Sequence, residues 1–190
     1  MAAALQNLWN ENAAAHITEL GAGDGHFLLR VAQAISPRRP DVRATLLDRQ
    51  PNVSPETLAH FSTLGWRADT VIANVFNWPP AAEAGGIVIA NLFLHHFATA
   101  QLLELLRLIS QRATVFIALE PRRAAWPLFC SRLLWVIGCN DVTRHDAVVS
   151  VRAGFSGQEL SALWPDQSNW QLIEKPVGMF SHQFIARRTG

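Results

Sequence analysis

The sequence predicts an α/β protein built on a doubly wound, mostly parallel sheet. Three observations carry this expectation. The stretch His16 to Val31, HITELGAGDGHFLLRV, runs from an apolar strand through Gly21, Gly23 and Gly25 into Phe27, Leu28 and Val31 at helical spacing. Apolar strand-like runs then alternate with helical patterns as far as Leu119, which implies parallel pairing. Gly86 to Leu94, GIVIANLFL, is almost wholly apolar, as a strand buried on both faces must be.

The chain of 190 residues suits one domain, 1–190, with a sizeable core. Its hydrophobic fraction of 49% is ordinary for a globular protein. The formal charge is only +1 and is scattered, so no basic stripe points to nucleic acid. Lys175 is the only lysine, and the absence of tyrosine excludes a tyrosine base. Cys130 and Cys139 share one apolar stretch without metal-ligand spacing and read as buried thiols of a cytosolic protein. The N-terminus lacks the pattern of a signal peptide. No apolar run reaches the length of a membrane span. The expectation is a cytoplasmic protein without stable membrane insertion. Nothing in the pattern fixes an oligomeric state.

Taken in order, Leu5 to Ala15 is alanine-rich and reads as a short helix. Ile17 to Leu20 is the first strand, and the glycines after it permit a tight turn and a close ligand approach. The helix that follows presents free N–H groups at its start. Arg43 to Asp48 is the second strand. Ser54 and Pro55 cap and start a helix to Phe61. Asp69 to Val75 is the third strand, Gly86 to Leu94 the fourth, Thr99 to Ile109 a helix and Ala113 to Leu119 the fifth strand. Residues 121–156 interrupt this rhythm. Trp126 to Val136 forms an apolar helix that Gly138 can stop, and a polar stretch from Asn140 to Asp146 follows. This insertion reads as a lid over the strands' carboxyl ends or as a helix packed into the core. Gly157 to Trp164 is a further helix, and Trp170 to Val177 with Phe180 to Arg187 forms an antiparallel C-terminal hairpin through Gly178.

In such a sheet a ligand sits outside the carboxyl ends of the strands, where the strand order reverses. The chain places Glu19 and the glycines there, then Asp48, Asn74, the run Asn91 to His96, and Glu120. These polar groups converge on one edge of an apolar sheet, which is the form of a small-molecule pocket. A dinucleotide fingerprint fails because its sixth position is His26, and the Gly-Lys-Ser/Thr of a phosphate loop is absent. A nicotinamide oxidoreductase is therefore disfavoured.

Glu-Leu-Gly-Ala-Gly-Asp-Gly, Glu19 to Gly25, resembles the first motif of class I S-adenosylmethionine-dependent methyltransferases. Asp48 matches that family's ribose-binding acid. Ala73 to Trp78, ANVFNW, is similar to its third-strand segment, with Asn74 where an acid faces the adenine amino group. Ile87 to Phe97, IVIANLFLHHF, is similar to the fourth-strand motif of small-molecule methyltransferases. Arg144 to Leu160 resembles methyltransferases found beside type III polyketide synthases. The resemblance implies a Rossmann-like, seven-stranded sheet and S-adenosyl-L-methionine as cofactor. It implies contacts from Glu19, Gly21, Ala22, Gly23, Gly25, Asp48, Arg49, Asn74, Val75, Asn91 and Leu92. It also implies a small hydrophobic acceptor of aromatic or polyketide origin, with O-methylation favoured. Few residues precede Ile17, which predicts a more open cofactor site than such enzymes usually have.

The implied reaction displaces a methyl group directly from a sulfonium. Alignment of acceptor, methyl and sulfur alone can be worth roughly 7–11 kcal/mol. An oxygen acceptor must also lose its proton, and His95 and His96 are the candidate bases because imidazole titrates near neutrality. On extended backbone their side chains would point to opposite faces, so only one would meet the acceptor. Glu120 is the rival base. Both histidines could instead be structural. A His-His metal site is disfavoured because no third ligand is evident. Arg144, His145, Arg152 and His182 are secondary candidates for acceptor contacts. A second function remains open: a methyltransferase-like module that binds the cofactor without catalysis and serves as a partner or scaffold.

Overall fold

The computed structural model describes residues 1, 5, 16–35, 41–78, 86–124 and 153–189. Seven strands form one sheet in the order β3-β2-β1-β4-β5-β7-β6. They are β1 (His16–Leu20), β2 (Arg43–Asp48), β3 (Arg67–Ile72), β4 (Gly86–Asn91), β5 (Ala113–Pro121), β6 (Trp170–Val177) and β7 (Ser181–Arg188). Strands β1 to β5 pair in parallel, while β7 runs antiparallel to β5 and to β6. The order reverses between β1 and β4, so the crevice expected of a doubly wound sheet opens there.

Helices cover both faces, as the alternation of apolar strands and amphipathic segments requires. Helices α1 (His26–Ile35) and α2 (Pro55–Thr63) bury Leu28, Val31, Ile35 and Phe61 against Ile17, Ala44, Leu46 and Ile87. On the other face α3 (Thr99–Arg112) and the short α4 (Glu159–Leu163) bury Leu102, Leu105, Ile109 and Leu160 against Val88, Phe116, Phe184 and Trp164. Each strand of the parallel centre is thus apolar on both sides. In α2 the Ser54 hydroxyl accepts the Thr57 N–H at 3.1 Å and Pro55 opens the helix, as the sequence predicts.

Several boundaries differ from the sequence expectation, and hydrogen bonding explains them. Strand β3 begins at Arg67, whose N–H donates to the Val42 carbonyl, and it ends at Ile72 rather than Val75. Asn74 Oδ1 accepts the Phe76 N–H, which turns Val75–Asn77 into a 3-10 turn. Strand β4 stops at Asn91, because Leu92 takes the left-handed region at φ 52° and a second 3-10 turn, Leu94–His96, follows. Strand β5 runs on to Pro121 because β7 keeps pairing with it that far. Helix α3 extends to Arg112, and α4 is shorter than Gly157 to Trp164. The hairpin returns at Ser181 after a turn carrying Gly178 at φ 62°.

Of the helix expected over Leu5 to Ala15, only the buried Leu5 lies among the described residues. The apolar helix of the insertion, both cysteines, Gly138, Arg144, His145 and Arg152 lie outside them. The two ends of the insertion are described. Arg123 N donates to Phe155 O and Phe155 N to Pro121 O, each at 2.9 Å, and Arg122 N donates to Phe180 O at 2.8 Å. The chain therefore leaves and returns at one point beside the carboxyl end of β5.

Candidate functional site

The glycine turn after β1 is held from β2. Ala22 N–H donates to Leu47 O at 3.0 Å, and Gly23 N–H donates to Asp48 Oδ2 at 2.9 Å. Gly21, Gly23 and Gly25 all have positive φ, the region glycine occupies without a Cβ clash. At Gly21 a Cβ would also lie 2.2 Å from the Phe93 ring, so this aromatic packs directly on the turn. Asp48 Oδ1 accepts the Gln50 N–H at 3.0 Å, leaving lone pairs on both carboxylate oxygens for a further donor.

A cleft of about 640 Å³ opens beside this turn. Of the residues named from the sequence, Gly21, Asp48, Arg49, Asn74, Val75 and His96 line it. Ala22, Gly23 and Gly25 shape the turn without lining the cleft. Asn91 and Leu92 end β4 without lining it either, and Leu92 is turned outward and exposed. The sequence reading missed Phe76, Phe93 and Phe97, which form one wall of the cleft. Phe97 meets Phe76 edge-to-face at 5.6 Å and Phe93 at 5.0 Å.

Glu19 lies beneath the turn, only 2% exposed. Burial raises its pKa to about 8, the Leu28 N–H bond opposes the shift, and the charges of Asp24 and Asp48 add to it. Among the described residues its Oε2 has no hydrogen-bond partner. A buried carboxyl in this state holds its proton at neutral pH and can offer one more hydrogen bond.

The two histidines depart from the extended geometry assumed for them. They lie in the 3-10 turn Leu94–His96, which brings their rings to 4.1 Å between centroids rather than to opposite faces. Glu120 fixes this turn. Its carboxylate is fully buried and accepts Phe93 N–H at 2.9 Å, Leu94 N–H at 2.8 Å and His95 N–H at 3.4 Å. It also bonds His95 Nδ1 at 2.8 Å. In the neutral tautomer whose Nδ1 donates to this carboxylate, Nε2 is the acceptor nitrogen of His95. Both oxygens of Glu120, the rival base, are thereby engaged in holding the turn. Burial, with the neighbouring His95, lowers the pKa of His96. The shift favours the neutral imidazole.

A second cavity of about 420 Å³ lies on the far side of this turn. His95, Phe97, Leu102, Phe155 and Leu163 line it, with the Arg123–Glu159 ion pair at its edge. Phe97 belongs to both cavities, and the adjacent histidines face one each. The aromatic and aliphatic members of this cavity carried no polar motif to mark them in the sequence. His182 does not reach either cavity. It is buried and bonds Glu174, 2.7 Å away. Burial raises the Glu174 pKa, but bonds from His182, Ser161 and Leu160 outweigh it and lower the value below the usual one. Among the described residues no cluster of three or more metal-ligating side chains occurs. No described helix is long and apolar enough to cross a membrane.

No protein-family model matches the sequence, and no curated protein matches it in sequence. Solved structures do match in three dimensions. A candidate O-methyltransferase from Nostoc punctiforme superposes with a TM-score of 0.62 at 16% identity, covering 97% of this chain and 55% of that one. The plantazolicin methyltransferase BpumL in complex with SAH (S-adenosylhomocysteine) gives 0.70 at 12% identity, covering 98% and 80%. The S-adenosylmethionine-dependent methyltransferase SibL gives 0.64 at 17% identity, covering 96% and 52%. The chain spans about half the length of the first and the last of these. At these identities the likeness establishes the fold: a seven-stranded mixed sheet shared with S-adenosylmethionine-dependent methyltransferases.

Proposed function

We propose that this chain is an S-adenosylmethionine-dependent methyltransferase acting on a small, largely apolar acceptor of aromatic or polyketide origin, with oxygen as the favoured methylated atom. The observation that supports this best is the pair of cavities meeting at Phe97 and the His95–His96 turn. One has a polar end at Asp48 and Asn74; the other sets Phe97, Leu102, Phe155 and Leu163 beside His95, Thr99, Arg123 and Glu159. A cofactor and an acceptor placed in them would face each other across that boundary.

The residues fit the cofactor. Asp48 has acceptor capacity left for the ribose hydroxyls. Asn74 Oδ1 accepts Phe76 N–H and has a second lone pair that could accept from an adenine amino group. Gly21 leaves the turn without a Cβ, while Glu19, buried at the end of β1, does not line the cleft. The bound cofactor supplies an activated methyl group. The chain aligns the acceptor with it, and His95 Nε2 takes the acceptor's proton. Glu120 orients the His95 ring and stabilises the imidazolium that forms.

Turnover of labelled S-adenosylmethionine against a panel of phenols with pKa well above the assay pH tests this. General base catalysis is typically worth about 10²- to 10⁴-fold. The variant His95→Gln should lower kcat by about that factor while leaving cofactor affinity nearly unchanged. Cofactor binding without turnover of any acceptor in the unmutated protein would favour the scaffold function instead.

A further inference from the structure

We propose that the wall formed by Phe76, Phe93 and Phe97 recognises the positive charge of a sulfonium, so that the cleft discriminates a sulfonium ligand from the corresponding neutral thioether. The proposal rests on the methyltransferase reading and deepens it by assigning selectivity to three aromatic side chains of the cleft.

The position of the wall carries the argument. Phe97 lines both cavities, and a methyl group passing from one to the other must cross beside it. A donor bound there would bring its cationic sulfur beside this wall. Among the described residues lining the cleft, Asp48 is the only acid; it ends β2 and has Arg49 beside it. Glu120 turns its oxygens to the Phe93, Leu94 and His95 N–H groups and to the His95 ring. Glu159, at the edge of the second cavity, is paired with Arg123.

A cation desolvated at this boundary needs another partner, and the three rings offer it. Aromatic faces carry negative charge density, and a cation is attracted when it lies within about 6 Å of a ring centroid. The rings are locked rather than free to turn away. Phe97 receives Phe76 at 88° between planes and Phe93 at 77°, and Phe93 is pressed against Gly21. His96, the one histidine among the described residues lining the cleft, has its pKa lowered by burial, which disfavours a repelling charge there. Transfer of the methyl group converts the sulfonium to a thioether, which has no charge for the wall to hold. The same wall that retains the donor thus favours departure of the spent product.

The test is calorimetric and needs no acceptor. S-adenosylmethionine and S-adenosylhomocysteine are titrated separately into the full chain and into Phe97→Leu, with Phe76→Leu giving the same readout should the first variant not fold. Leucine keeps apolar bulk and removes the ring. Cation–π strength corresponds to about two- to thirtyfold in affinity. The ratio of sulfonium to thioether affinity should fall by a factor in that range, with thioether affinity changing much less. Equal weakening of both ligands, or an unchanged ratio, would overturn the proposal while leaving the methyltransferase reading intact. Failure of both ligands to bind the unmutated chain would overturn the two together.

Discussion

Gly21 combines a φ of 66° with a neighbouring ring 2.2 Å from where a Cβ would stand. Alanine there must strain the backbone and push Phe93 aside, two effects that each cost roughly 1–3 kcal/mol. The variant Gly21→Ala should therefore lower the midpoint of urea unfolding and abolish any stabilisation by S-adenosylhomocysteine. Glu19 makes a different demand. Its folded pKa, about 8, lies above the ordinary 4.5, so the folded state keeps a proton that the unfolded chain releases. Stability must then fall as pH rises from about 4.5 to about 8, and level off above. Glu19→Gln lacks this penalty. Its stability relative to the parent should rise across that window by roughly a few kcal/mol, read from urea unfolding at several pH values. At this scale the glycines and Asp48 were legible in the sequence, because a tight turn and a strand-end acid each allow few residue types. Phe93 and Phe97 were not, since apolar residues beside a buried strand look the same whether they fill a core or line a cleft. The pairing of Glu120 with His95 was hidden for another reason: the two lie 25 positions apart and meet only through the β4–β5 register.

At the scale of elements, short turns rather than strands carry the site. The turn Leu94–His96 hangs from one carboxylate, which accepts three backbone N–H groups and a histidine ring. Hydrogen bonds to a charged group are worth about 1.5–3 kcal/mol each, and a donor left unsatisfied costs about 1–3 kcal/mol more. Glu120→Gln keeps one acceptor oxygen and turns an amide NH₂ toward remaining donors. It should destabilise the protein by about 2–4 kcal/mol and speed amide exchange at Phe93 and Leu94. The base of the 121–156 excursion is similarly tight. A Cβ at Gly154 would stand 2.2 Å from the Pro121 carbonyl oxygen, a backbone atom that cannot swing away. Gly154→Ala should cost about 1–3 kcal/mol and loosen the Arg123 and Phe155 amides in exchange measurements. The helical and strand segments among the described residues were legible from periodicity. Their ends were not always so. Asn74 captures a backbone N–H and closes β3 early, whereas antiparallel pairing with β7 carries β5 past Leu119. Pairing partners and side-chain caps of this kind are tertiary facts, which a local pattern does not contain.

For the whole molecule, the alternation of apolar strands and amphipathic helices was enough to specify a doubly wound sheet, because parallel strands need crossovers on both faces. The glycine turn then placed the site at the β1–β4 reversal. What the chain alone could not convey was that two cavities share one aromatic and histidine boundary, since they draw on the end of β2, the turns after β1, β3 and β4, the start of α3, the short α4, and Arg123 and Phe155 together. On the proposed function, the cleft beside Gly21 and Asp48 receives the S-adenosyl cofactor. A ligand that binds only the folded state stabilises it by about 2.7 kcal/mol at one hundred times its Kd. S-adenosylhomocysteine titrated into the protein while thermal unfolding is followed measures this directly. A concentration-dependent rise in Tm, largely lost in Asp48→Ala, is the expected result; an unchanged Tm, and no heat of binding, at millimolar ligand would contradict it.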